Sequence, residues 1–136
     1  MISEALGFHP ELAGRMVHHE LPGVLPFEEA SFDIVTSMAV IMHLEEADLS
    51  PLFGEIFRVT RLGGLVAYSV NTARSGLDAD GNDPEGRHFT CLSREKWEGI
   101  HTDAGLTTIA SWESEDVRGR SGIRWATFIC RKGQSS

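Results

Sequence analysis

Two short, largely apolar runs, Phe32–Met38 and Leu65–Val70, stand on either side of one amphipathic stretch, an order that points to a layered α/β arrangement. Both runs carry β-branched residues and read as strands covered on both faces. Between them, Leu49, Leu52, Phe53, Ile56, Phe57 and Val59 form a wide stripe at helical spacing. That stripe predicts a helix over Asp48–Thr60, with Ser50 capping it and Pro51 in its first position, or with Asp48 as the cap one turn earlier. Gly63-Gly64 closes it, the first glycine suiting a left-handed residue. Further on, Ser93 caps a second helix running to Ala104, and Leu106–Trp112 and Trp125–Lys132 read as two strands joined by the polar segment Glu113–Gly122. The expected fold is a doubly wound α/β layer with a C-terminal antiparallel hairpin.

Near the start, Met16–His19 reads as a short strand, and Pro10 ends whatever precedes it. Asn71 to Phe89 is the longest irregular stretch and is expected to be a mobile loop; residues 133–136 read as a tail. The 136 residues are expected to form one domain.

Charge and composition exclude several classes. The net charge is −8, and residues 1–56 hold ten acidic residues against one arginine. Such a chain lacks the positive footprint that a phosphate backbone requires, so nucleic acid is not an expected partner. No stretch reaches the length of a membrane span, and no signal peptide is visible, so a cytoplasmic setting is expected. Cys91 and Cys130 are too few and too far apart for a disulfide framework. Cys130 reads as a small buried residue.

Five fragments in order carry a family resemblance: Leu25-Pro26-Phe27, Ser31-Phe32-Asp33-Ile34-Val35, Arg58-Val59-Thr60-Arg61-Leu62-Gly63-Gly64, Gly86-Arg87-His88-Phe89, and Ala104-Gly105-Leu106. Together they resemble the middle and end of a class I S-adenosylmethionine-dependent methyltransferase of the small-molecule, type 11 kind. The resemblance implies a Rossmann-like sheet with Phe32–Met38, Leu65–Val70, Trp125–Lys132 and Leu106–Trp112 side by side in that order. It also implies S-adenosylmethionine as cofactor and a small molecule as methyl acceptor.

By that resemblance Leu25 and Phe27 lie beside the adenine, with Glu20 as the nearest carboxylate for its amino group. Ser37 and Met38 end a strand near the methionine part, where ligands of open α/β sheets bind. His43 follows that strand and is the candidate general base, its side chain ordinarily titrating near neutrality. Arg74 and Arg87 flank the long loop and are candidates for holding a carboxylate or phosphate of the substrate. No metal site is expected. The adjacent His18 and His19 point to opposite faces of a strand, and Asp78, Asp80, Asp83 and Glu85 do not keep the spacing of a calcium loop.

The family holds its cofactor with a glycine-rich loop and a ribose-binding acid, and no G-x-G-x-G run occurs in these 136 residues. Two functions follow as expectations. One is the C-terminal part of a methyltransferase, inactive as this chain alone. The other is a non-catalytic module whose open strand edge forms a homodimer or binds a partner protein.

Overall fold

The structure, a computed structural model, describes residues 25–38, 40–116 and 118–133. Its strands are β1 (Phe32–Met38), β2 (Thr60–Arg74), β3 (Leu106–Glu115) and β4 (Ile123–Lys132); its helices are α1 (Glu46–Val59) and α2 (Arg94–Asp103). They make one four-stranded sheet in the order β1-β2-β4-β3, as the family resemblance implies. The β1–β2 pair is parallel, as strands joined through a helix can be, and β2–β4 and β4–β3 are antiparallel. The expected strand over Met16–His19 lies outside the described residues.

Two boundaries differ from expectation. Helix α1 starts at Glu46, before Ser50-Pro51, and its capping residue Glu45 makes no side-chain bond to the helix. Pro51 therefore sits inside the helix, where it deprives the Ala47 carbonyl of an intrahelical donor; Ala47 is exposed, so water can serve instead. Strand β2 is fifteen residues long and takes in Gly63-Gly64 at one end and Asn71–Arg74 at the other. Gly64 is needed there. A Cβ on it would stand 2.7 Å from the Arg61 carbonyl oxygen and 2.8 Å from that of Asp33 in β1, so only glycine lets the two strands approach.

The helices are not divided between the two faces of the sheet. Tyr68 of β2 meets Phe53 of α1 at 5.0 Å and Trp97 of α2 at 6.4 Å between ring centroids, so both helices cover the same side. Along β2 and β4, Val66, Tyr68, Val70, Ala126, Phe128 and Cys130 are buried, while the alternating Leu65, Ala67, Ser69, Thr127 and Ile129 are only half covered. Burial also pushes the Cys130 thiol up to about 12, which leaves it an inert packing residue. The expectation that Phe32–Met38 is covered on both faces fails for the same reason: Ile34, paired with Leu65, is 62% exposed, and Met38, paired with Ser69, is 51% exposed. Their face has no helix on it among the described residues.

Candidate functional site

Beyond β1 the chain makes a short 3-10 turn, Ile41–His43, which packs Ile41 and Met42 into the core and leaves His43 at the surface. Thr90 fastens this turn to the long loop. Its amide donates to the Met42 carbonyl at 2.7 Å and its hydroxyl to the Leu44 carbonyl at 2.6 Å. The loop is ordered by two Asx turns: Asp78 accepts the amides of Asp80 and Asn82, and Asp83 those of Glu85 and Arg87. Its end carries Phe89 under the His43 ring, 4.7 Å between centroids.

His43 Nδ1 lies 2.8 Å from the His88 carbonyl oxygen. A carbonyl only accepts, so Nδ1 carries the proton and the neutral ring keeps its lone pair on Nε2. The fixed ring borders a cleft of about 500 Å³ at the carboxyl end of β2, walled also by Arg74, Phe89 and Trp125 and by the hairpin turn after β3. A bulge at Thr72, where β2 gains a residue on β4, lies just before Arg74 and resets which way the strand end points.

The hairpin wall is organised by Asp116, whose side chain is 2% exposed. It accepts the amides of Arg118 and Arg120, two bonds from the Arg120 guanidinium at 2.8 and 2.9 Å, and the Trp125 indole N–H at 3.3 Å. The Arg120 guanidinium, first among these donors, holds the Asp116 carboxyl far below the usual carboxylate range.

A second cavity of about 220 Å³ lies along β1, lined by Leu25, Phe27, Phe32, Ile34, Val35 and Val59. Arg58 builds it. Its guanidinium bonds Glu55 and donates to the carbonyls of Leu25 at 3.0 Å and Phe27 at 2.8 Å, while the Leu25 amide donates to Glu55 at 2.8 Å. Two fragments thirty residues apart in sequence, one with Leu-Pro-Phe and one opening on Arg58, are thus one device: the second clamps the loop made by the first.

Of the expected site residues, His43, Arg74 and Arg87 come together at the cleft, and Leu25 and Phe27 at the apolar groove. Ser37 and Met38 line neither cavity, and Glu20 lies outside the described residues. Arg87 is already taken, bonding Asp83 at 2.8 Å with Glu85 at 3.5 Å. Sequence reasoning missed Asp116, Arg118, Arg120 and Trp125. The available signal was three arginines, Arg118, Arg120 and Arg124, within seven residues of an otherwise acidic chain. Among the described residues no three His, Cys, Asp or Glu side chains converge to hold a metal, and no helix is long and apolar enough to cross a membrane.

A family model described as a methyltransferase domain matches residues 7–68. Among solved structures, an S-adenosylmethionine-dependent methyltransferase from Methanosarcina mazei is 17% identical with a TM-score of 0.70, over 98% of this chain and 79% of that one. The 1,6-didemethyltoxoflavin-N1-methyltransferase of Burkholderia thailandensis, solved with its substrate and S-adenosylhomocysteine, is 19% identical with a TM-score of 0.63, over 85% of this chain and 48% of that one. The chain is a partial class I methyltransferase fold. A protein from Galdieria sulphuraria described as a sarcosine dimethylglycine methyltransferase also fits, at 17% identity and a TM-score of 0.67, with 96% of this chain covering 64% of that one. None of the curated proteins matches this methyltransferase-like chain.

Of these structures, that from Methanosarcina mazei is described as S-adenosylmethionine-dependent and that from Burkholderia thailandensis holds S-adenosylhomocysteine. The apolar groove suits the flat face of an adenine. The described residues offer no glycine-rich loop and, at that groove, no free carboxylate for ribose hydroxyls, since Glu55 is spent on Arg58 and Leu25. They fit one end of the cofactor and do not complete its site.

Proposed function

We propose that this chain is the acceptor-binding part of an S-adenosylmethionine-dependent methyltransferase acting on a small molecule, and that these 136 residues alone do not hold the cofactor. The observation that carries the reading is the fixed tautomer of His43 at the edge of an open cleft walled by Phe89 and Trp125. Methyl transfer asks chiefly that the acceptor atom be held in line with the methyl group. Phe89 and Trp125 hold the body of an acceptor, and His43 Nε2 takes the proton that an N–H or O–H acceptor gives up. A cytoplasmic setting agrees with two unpaired cysteines.

Two titrations test the two halves of this reading. Calorimetry with S-adenosylhomocysteine is expected to show no affinity tighter than about millimolar, because polar contacts to ribose and amino acid are missing; micromolar binding would refute the second half. Small-molecule fragments followed by amide chemical shifts are expected to move His43, Phe89 and the 116–122 hairpin. Fragments that cluster elsewhere would refute the first.

The open sheet face supports a second reading, a non-catalytic module that pairs with a second copy or a partner protein. Exposed Ile34 and Met38, together with an edge of β1 that no other strand pairs among the described residues, offer apolar surface and backbone groups for pairing. Light scattering that finds only monomer at high protein concentration would end the self-pairing form of that reading.

A further inference from the structure

The charges around the cleft go further than its shape. In a chain of net charge −8, the lining holds four arginines, Arg74, Arg87, Arg118 and Arg120, against two carboxylates, Glu115 and Asp116. Two of the four cations are committed, Arg120 to Asp116 and Arg87 to Asp83. Arg74 is not. It is half-buried, its guanidinium carbon sits 4.0 Å from the centre of the Phe89 ring, and none of its N–H groups has an acceptor among the described residues. Stacking on an aromatic ring engages only the face of a guanidinium and leaves the N–H fork around its edge free. The Arg74 nitrogens are not among the buried polar atoms left without a partner, so water reaches this fork and an anion entering the cleft can take its place with charge-assisted bonds.

Arg118 also lines the cleft, from the exposed hairpin turn after β3. Asp116 fixes its backbone through the amide at 3.1 Å, and its side chain likewise has no partner among the described residues. The remaining carboxylate, Glu115, makes no ion pair among the described residues. One uncommitted negative charge against two uncommitted positive ones leaves the cleft one positive charge in excess.

We propose, resting on the reading of this cleft as the acceptor site, that it takes a small molecule with an aromatic or apolar body and one anionic group, a carboxylate or phosphate monoester, bound by Arg74 and Arg118. The anion enters the open fork of Arg74 while Phe89 and Trp125 flank the body. Arg87, named beside Arg74 by the sequence pattern, serves instead to set the loop through Asp83.

The test is titration of the 136-residue chain with benzoate, phenyl phosphate, benzamide and benzylamine, by calorimetry and amide shifts. Benzoate and phenyl phosphate are expected to bind in the cleft, whichever is tighter naming the anion. Benzamide should be about tenfold weaker, as for loss of a charged hydrogen bond, and benzylamine should not bind. Arg74→Gln should cost benzoate about tenfold, and Glu115→Gln should tighten it by removing a like charge. Arg131→Gln, on an exposed β4 position outside the cleft, should change nothing. If benzamide matches benzoate while shifting the same cleft amides, the acceptor site stands and the anion inference falls. If Arg131→Gln weakens benzoate as much as Arg74→Gln, or Glu115→Gln weakens it, the specific charge pairing falls. If no probe moves the cleft amides, both readings fall together.

Discussion

The two faces of this sheet are made from the same strands and have opposite fates. On the helix side, Tyr68, Phe128 and Cys130 are completely buried and Tyr68 touches rings from both helices. On the other, Ile34, Met38 and Trp112 stand 62%, 51% and 46% exposed although they are just as apolar. The difference teaches that residue type alone does not settle burial in this fold. Partners supply it, and α1 and α2 supply it to one side only. Among the described residues no layer covers that second face.

The contrast is open to direct attack by mutation. Phe53→Ala removes a ring packed between α1 and Tyr68 and should cost about 3–5 kcal/mol in urea unfolding, whereas Ile34→Ala should cost no more than about 0.5 kcal/mol. Comparable losses would mean that the open face is covered in solution. Gly64→Ala should cost about 1–3 kcal/mol by forcing β1 away from β2, read as lost hydrogen-exchange protection confined to β1. If protection fell equally across β4, β1 would not be the separable part.

A smaller effect is expected from pH. Buried His101 accepts the Tyr68 hydroxyl at Nδ1, 2.6 Å away, and its Nε2 donates to Thr108 at 2.7 Å, whose hydroxyl donates to Glu98. Burial, the larger influence, lowers its pKa below the usual 6.5 against the opposing pull of Glu98. The unfolded chain therefore takes up the proton first. Stability from this group is complete above 6.5 and declines as pH falls below it towards the folded-state pKa. Melting temperatures compared at about pH 7.5 and 5.5 should fall, and His101→Gln should reduce that fall. An unchanged slope in the variant would assign the effect to other histidines.

How much of this was legible in the sequence varies by region. The strands and both helices followed from local pattern, the helical stripe from Leu49 to Val59 and the short β-branched run from Leu65 to Val70, whereas the strand order followed only from the family resemblance. The start of α1 was not legible: Ser50-Pro51 is the strongest local start signal, yet the 3-10 turn pinned by Thr90 lets the helix begin at Glu46. The one-sided cover was illegible too, since an apolar strand reads alike whether or not its second layer is present. At the site, His43 and Arg74 were visible as isolated residue types. Asp116 was hidden in a segment that read as a connector, and its role exists only once the turn brings Arg120 and Trp125 around it.

The three tryptophans occupy three physically distinct places. Trp97 is fully enclosed, Trp112 faces solvent on the bare side of the sheet, and Trp125 borders the cleft with its indole tied to Asp116. The chain therefore carries its own set of optical reporters. Emission from Trp97 tracks melting, quenching of Trp112 by acrylamide tracks anything that settles on the open face, and Trp125 senses whatever enters the cleft. Replacing them one at a time with phenylalanine separates three signals that a labelled protein would need three attached dyes to provide.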